Sequence, residues 1–125
     1  MNSSMKSECT IGSDGTKYWR LNGRRHRVDG PAVEWSNGDK HWYINGKLHR
    51  LDGPAIEYVN GNKYWYLNDE LHRADGPAVE RANGYKSWWL KGKKLTFKQW
   101  LSAVWDTLSK EERKKYTFNG FEYEK

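Results

Sequence analysis

The chain has 125 residues, enough for one domain with a hydrophobic core, and 15% of them are aromatic. The formal net charge is +6, but residues 91–125 hold nine Lys and Arg against five Asp and Glu, so most of the excess lies in the last third. Residues 1–13 are polar and no stretch is long and apolar enough for a membrane span, so we expect a cytoplasmic protein without a signal peptide. Cys9 is the only cysteine, which excludes an internal disulfide and a cysteine metal cluster.

A 23-residue period runs through residues 13–92. The recurring residues are the histidines His26, His49 and His72, the Asp-Gly-Pro-Ala segments that begin at Asp29, Asp52 and Asp75, the Asn-Gly pairs at 37, 60 and 83, and the tryptophans Trp19, Trp42, Trp65 and Trp88. Three full units follow a leading half-unit that contains Asp14-Gly15. Recurrence at a fixed period predicts that the units share one structure and stack on their neighbours.

Each unit is predicted to be a β-hairpin, because residues 31–35 and 40–44 flank the turn pair Asn37-Gly38. If this pair forms a two-residue loop, Val33 lies opposite Trp42. One face of the first hairpin then carries Val33, Trp35, Trp42 and Ile44 and is expected to be the core face, and the other carries Ala32, Glu34, His41 and Tyr43.

The second face varies between units. One of its positions holds Tyr18, His41, Tyr64 and Ser87 in successive units, and another holds Arg20, Tyr43, Tyr66 and Trp89. Variation at fixed positions of a repeat is typical of a recognition surface, and aromatic residues are common in protein interfaces. The alternative is that these rings only pack across neighbouring strands.

The loop that follows each hairpin carries His-Arg-x-Asp-Gly-Pro, in which Pro is expected at a strand start and Arg can pair with Asp two residues later. Successive hairpins are separated by about 10 Å, so the three histidines cannot share one metal ion. A catalytic group is also normally unique in its chain. We therefore interpret this motif as a hydrogen-bonding corner between units and expect neither an enzyme nor a cofactor.

A cluster of arginines in the first unit suggests a second kind of ligand. It consists of Arg20, Arg24, Arg25 and Arg27. Together with neighbouring rings, these cations could bind nucleic acid or a small nucleotide. Against this, the predicted hairpin places Glu34, Glu57 and Glu80 on the variable face, where they would repel phosphate.

After Gly92 the period ends and a helical pattern begins. Its apolar stripe consists of Phe97, Trp100, Leu101, Val104, Trp105 and Leu108, which predicts a helix over 97–108 that caps the last hairpin. Capping boxes at Thr96 and Ser109 begin this helix and a second, charged one from 110 to about 115, and Asn119-Gly120 predicts a small terminal hairpin over 116–123. The expected organisation is an N-terminal segment (1–12) whose order is left open, repeats (13–92) and a cap (93–125).

The 23-residue units, with their Asn-Gly turns, Lys-Tyr-Trp-Tyr strands and His-Arg-x-Asp-Gly-Pro-Ala corners, resemble the MORN repeat, although Arg50 stands where that repeat has Gly. Over residues 13–101 they look most like MORN-like proteins of tailed bacteriophages. The resemblance implies a mainly β fold of stacked hairpins with a helical cap, and a role as an interaction scaffold. It does not determine a partner.

Two functional hypotheses follow. The first is a non-catalytic interaction protein, encoded by a phage, that binds a host protein such as a defence factor and inhibits or redirects it. The second is a binder of nucleic acid or a nucleotide. The residues expected to bind are Tyr18, Arg20, Arg24, Arg25, Arg27, His41, Tyr43, Tyr64, Tyr66 and Trp89. An oligomer formed by pairing of exposed sheet edges is left open.

Overall fold

The structure, a computed structural model, describes residues 6–118. The first seven strands are β1 (Glu8–Ile11), β2 (Lys17–Leu21), β3 (Arg24–Arg25), β4 (Val33–Glu34), β5 (Lys40–His41), β6 (Tyr43–Ile44) and β7 (Lys47–Leu48). The remaining strands are β8 (Ile56–Glu57), β9 (Lys63–Tyr64), β10 (Tyr66–Leu67), β11 (Glu70–Leu71), β12 (Val79–Glu80), β13 (Lys86–Leu90) and β14 (Lys93–Leu95). The helices are α1 (Phe97–Val104), a 3-10 helix (Trp105–Thr107) and α2 (Lys110–Phe118).

The main sheet has ten strands in the order β1-β2-β4-β5-β8-β9-β12-β13-β14, with β3 paired to β2. All of its pairs are antiparallel, so each repeat unit adds one hairpin to a continuous meander. Two small ladders, β6-β7 and β10-β11, form the second hairpin of the middle units. The predicted class is therefore confirmed: a mainly β sheet of tandem hairpins, followed by a helical cap.

In each of the two middle units, a tryptophan lies between the strand of the first hairpin and the strand of the second. The amide of Trp42 donates to the carbonyl of Ala55 in the next unit (2.7 Å), and its own carbonyl accepts from the amide of His49 (3.1 Å). Trp65 makes the same pair of bonds with Ala78 and His72. Residues 40–44 therefore do not form one continuous strand. Before Trp42 they pair in the main sheet as β5, and after it they pair with β7 as β6.

The turn between β4 and β5 is longer than the predicted two-residue loop. The Trp35 amide donates to the Asp39 carbonyl, and the Gly38 amide donates to the Trp35 carbonyl (both 2.9 Å). Gly38 has φ +101°, which fits a three-residue loop whose last residue is in the left-handed region. The Asn37 side chain stabilises this loop by accepting the Asp39 amide (2.9 Å), an interaction that the two-residue reading did not include.

The extra loop residue shifts the strand register by one, so Val33 and Trp35 share a face with His41 and not, as predicted, with Trp42. Val33 pairs with His41 instead of Trp42, and Glu34 pairs with Lys40. Two rows of cross-strand partners run across the sheet. The first is Tyr18, Val33, His41, Ile56, Tyr64, Val79 and Ser87, and the second, on the opposite face, is Lys17, Glu34, Lys40, Glu57, Lys63, Glu80 and Lys86.

The recurring histidines connect one unit to the next. Nδ1 of His26 accepts the amide of Asn45 (3.0 Å), Nδ1 of His49 accepts that of Asn68 (3.1 Å), and Nδ1 of His72 accepts that of Lys91 (2.9 Å). The predicted hydrogen-bonding corner is therefore confirmed.

Each recurring arginine clamps its own loop, as in the second unit. The Arg50 guanidinium stacks on Trp42, with Cζ 3.9 Å from the ring centroid, and forms ion pairs with Asp52 (2.9 Å) and Glu57 (2.8 Å). Arg27 and Arg73 make equivalent contacts in their units. A Cβ at Gly53 would lie 2.8 Å from Arg50 Cζ, so the glycine of the motif makes room for the clamp.

Both helices of the cap begin where the sequence predicts, but they end at other residues than predicted. The Thr96–Gln99 and Ser109–Glu112 capping boxes are both present. The predicted helix over 97–108 ends at Val104 and continues as the 3-10 turn, while α2 extends to Phe118. Residues 116–118 are thus helical, so the first strand of the predicted terminal hairpin is wrong, and 119–125 lie outside the described residues.

A separate core joins the cap to the last hairpin. It consists of Trp100, Leu101, Val104 and Leu108, packed against Trp88, Leu90 and Leu95. Thr96 occupies the position that the clamping arginine has in the other units, and Trp100 packs against Trp88, with ring centroids 4.5 Å apart. The Trp100 indole also donates to the carbonyl of Arg73 (2.8 Å), so the helix covers the apolar end of the repeat array.

Candidate interaction surface

One face of the sheet carries a chain of rings, which we call the aromatic face. Its members are Tyr18, Trp35, His41, Tyr43, Tyr58, Tyr64 and Tyr66, all half-buried. Neighbouring rings from Tyr18 to Tyr64 meet mainly edge to face, with centroids 5.7 to 6.0 Å apart. Tyr66 occupies the repeat position of Tyr43, which itself lies 6.4 Å from His41. The contacts cross three hairpins, so the face is a continuous surface and not a set of isolated pairs.

Trp35 and Tyr58 were not expected on this face. The predicted two-residue loop assigned them to the core, whereas the three-residue loop places them two residues beyond Val33 and Ile56 on the same side as His41. The polar side chain at each turn, Asn37 or Asn60, accepts the amide two residues later. Recognition of this turn chemistry in the sequence would have given the correct register.

His41 lies at the centre of the aromatic face, between Trp35, Tyr43 and Tyr58. Its Nε2 is buried and has no hydrogen-bond partner among the described residues. Burial lowers the pKa of His41, and the Arg25 charge lowers it further, while Asp39 opposes both. Burial also raises the pKa of Tyr58 and of Tyr66. Burial thus favours the neutral forms of His41, Tyr58 and Tyr66.

Arg20 and Arg25 lie at the first-unit end of this face and are cross-strand partners. Their guanidinium carbons are 5.0 and 5.7 Å from the centroid of the Tyr18 ring, and Arg25 also lies 5.4 Å from that of Tyr43. The structure thus brings two of the four predicted arginines together with the rings.

The other two arginines lie elsewhere. Arg27 stacks on Trp19 (3.9 Å) and pairs with Asp29 and Glu34, so it is one of the repeat clamps on the opposite face. Arg24 is exposed, beside Gly46. Neither contributes to the aromatic face.

Trp89 marks the far end of the predicted set. It occupies the repeat position of Tyr66 and is half-buried, and its indole nitrogen donates to the Ser87 hydroxyl (2.8 Å). Ser87 is the last residue of the row that contains Tyr64 and His41. The predicted binding residues other than Arg24 and Arg27 therefore lie along one side of the sheet.

The carboxylates expected on the variable face are on the other side. Glu34, Glu57 and Glu80 accept from the clamping arginines Arg27, Arg50 and Arg73, at 3.3, 2.8 and 2.8 Å. The predicted repulsion of anions from the aromatic face by these glutamates is therefore wrong, and the cause is again the one-residue shift of register.

The opposite side carries open grooves between the corner loops. A groove of about 770 Å³ lies between the 27–31 loop and the side chains of Trp42, Ile44 and Leu51. The next groove, of about 640 Å³, is partly closed by Leu108 of the cap. Leu51 at the groove rim is 83% exposed, so this side of the sheet has an exposed apolar side chain next to the Arg50–Asp52 ion pair.

Residues 6–118 contain no cluster of three or more His, Cys, Asp or Glu residues able to bind a metal ion. Within the same residues, the helices are too short and too polar to cross a membrane. No family model matches the chain, and no curated protein or solved structure is significantly similar to it.

Proposed function

We propose that the protein is a non-catalytic interaction protein that binds a partner protein through the aromatic face. The observation that carries this proposal is the continuous chain of half-buried rings across three hairpins, with two arginines at one end. Tyr, Trp and Arg are the residues that most often supply binding energy in protein interfaces. The resemblance to MORN-like phage proteins extends the proposal to a phage-encoded factor that inhibits or redirects a host protein.

The repeat architecture supports this role. Histidine corners and arginine clamps hold the backbone of each unit in place, so the side chains on the aromatic face can differ between units without loss of the fold. Tyr58 is replaced by Arg81 one period later, and Tyr64 by Ser87. A rigid scaffold with exchangeable face residues favours specific recognition, because little conformational entropy is lost on binding.

The second candidate is a binder of nucleic acid or a nucleotide. The position of Glu34, Glu57 and Glu80 on the opposite face favours this candidate, because these carboxylates are then absent from the surface whose rings could stack on bases. Asp39 remains close enough to His41 and Tyr58 to perturb their pKa values, so the face still carries a negative charge near its centre.

The experiment is a capture from bacterial lysate, run with and without nuclease, using the tagged full chain and two variants. Tyr58→Arg/Tyr64→Ser gives the second unit the residues that the third unit has at these positions, so the fold is expected to accept it. The matched control, Leu51→Ala, also copies the third unit, at Ala74, but changes the opposite side.

The proposal predicts a stoichiometric protein that is captured by the native chain and the control and lost with the double variant. Capture of no protein would contradict the proposal. Equal capture by all three chains would show that another surface binds, and recovery of only nuclease-sensitive material would favour the second candidate.

A further inference from the structure

The first unit departs from the repeat at two positions that face each other. Arg20 and Arg25 are direct cross-strand partners in β2 and β3. The same positions hold Tyr43 and Leu48 in the next unit, and Tyr66 and Leu71 in the one after. An aromatic–aliphatic pair that stabilises a sheet is thus replaced by two like charges, an arrangement that destabilises it.

The two arginines also differ from the clamps in what they contact. Each clamp is bound by two carboxylates, as Arg50 is by Asp52 and Glu57. Within residues 6–118, by contrast, no carboxylate oxygen lies within 4.0 Å of Arg20 or Arg25, although Glu8 is the other cross-strand partner of Arg20. This local positive charge is therefore not neutralised by an ion pair.

Neutral groups hold the pair in place. Nη1 of Arg20 donates to the Thr10 hydroxyl (3.3 Å), and Nη1 of Arg25 donates to the Tyr43 hydroxyl (3.4 Å). Both guanidiniums lie over the Tyr18 ring. One long hydrogen bond each leaves most of their N–H donors available, and planar guanidinium groups match the geometry of an oxyanion.

We propose that Arg20 and Arg25 form an oxyanion site that binds the carboxylate of an acidic side chain on the partner protein. This inference rests on the proposed function, because it places the anion at one end of the aromatic face. The site anchors the partner and fixes its orientation, while the adjoining rings bind the apolar part of the same interface.

A single carboxylate fits better than the phosphates of a nucleic acid. A nucleic-acid strand is bound by cations repeated along the groove that follows its backbone. Along the aromatic face the equivalents of Arg20 are Tyr43, Tyr66 and Trp89, so the arginine pair occurs in the first unit and does not repeat. The pair of arginines is thus a feature of the first unit, as a salt bridge with one residue requires.

The test is a titration of the ¹⁵N-labelled full chain at low ionic strength, with the Arg Nε–Hε resonances observed by NMR. The probes are a blocked tetraglutamate peptide, its tetraglutamine counterpart and a single-stranded oligothymidylate. The main variant is Arg20→Tyr/Arg25→Leu, which restores the pair found in the second unit. The control is Arg24→Gln, which removes a neighbouring charge outside the pair.

Tetraglutamate is expected to shift the Arg20 and Arg25 resonances in the native chain and in Arg24→Gln, and to bind at least tenfold more weakly to Arg20→Tyr/Arg25→Leu. Tetraglutamine should cause no shift. The inference is overturned if tetraglutamate leaves both resonances unchanged, if Arg24→Gln weakens binding equally, or if the oligonucleotide binds the pair more tightly than the peptide. If this test fails while the native chain still captures a partner through the aromatic face, only the oxyanion site is rejected, whereas capture of no protein by the native chain rejects the proposed function itself.

Discussion

Replacement of Arg50 by Lys tests whether the repeat clamp depends on the shape of the guanidinium or only on its charge. The Arg50 side chain is 21% exposed, with Cζ 3.9 Å above Trp42, and it bonds Glu57 at 2.8 Å and the Pro54 carbonyl at 3.1 Å. A lysine keeps the charge but cannot stack flat on the indole while binding several oxygens.

The expected cost follows from these contacts. The stacking of a partly buried cation on Trp contributes about 1 kcal/mol. A hydrogen bond to a charged group contributes about 1.5–3 kcal/mol when buried, and the lower end applies here because Glu57 is 35% exposed. We therefore expect Arg50→Ala to lower the free energy of unfolding by about 2–3 kcal/mol and Arg50→Lys by about 1–2 kcal/mol.

The assay is urea unfolding followed by tryptophan fluorescence, with the slope of the transition compared between variants. At typical slopes, Arg50→Lys should lower the midpoint by about 0.5–1 M urea. Asp52→Asn is the control and should have a much smaller effect, because Asp52 is 86% exposed. If Arg50→Lys unfolds at the native midpoint, only charge matters and the clamp argument is refuted.

Three further predictions concern stability. Arg20→Tyr/Arg25→Leu should raise the free energy of unfolding by about 0.2–1 kcal/mol in a urea titration, because it removes a cross-strand like-charge pair, and a decrease would contradict that reasoning. The fold lowers the pKa of His41 below its ordinary 6.5, so the unfolded chain binds more protons and stability should fall as the pH decreases below 6.5. Between thermal melts at pH 7.5 and 5.5, His41→Tyr should lose less stability than the native chain. An equal loss in the two chains would reject this cause. Trp100→Ala should cost about 3–5 kcal/mol in urea unfolding, since the side chain is fully buried against Trp88, and a cost below about 1 kcal/mol would show that the cap is not part of the cooperative unit.

The period of the sequence was sufficient to predict the hairpin array and its corners. A residue that recurs every 23 positions makes the same contact in each unit, and the bonds accepted by His26, His49 and His72 show this directly. The capping boxes were equally readable, because they depend on residues three positions apart. Local chemistry at fixed spacing therefore accounts for the parts predicted correctly.

The aromatic face was only partly predictable, because its composition depends on one residue of register. The loop at Asn37-Gly38 can have two or three residues. With two, Trp35 would share a face with Trp42, and with three it shares a face with His41. The division of the arginine cluster was not predictable either. Arg25 and Arg27 are close in sequence, but Arg27 contacts Trp19 and Glu34 on the opposite face. These two residues are neighbours only because β2 and β4 pair in the sheet.

The central claim is that a partner protein binds the aromatic face, and the most direct measurement is the dissociation constant of the captured partner for three chains by isothermal titration. The account predicts at least a tenfold weaker affinity, about 1.4 kcal/mol, for Tyr58→Arg/Tyr64→Ser and an unchanged affinity for Leu51→Ala. An unchanged constant for the double variant, with its fold intact by circular dichroism, would contradict the claim.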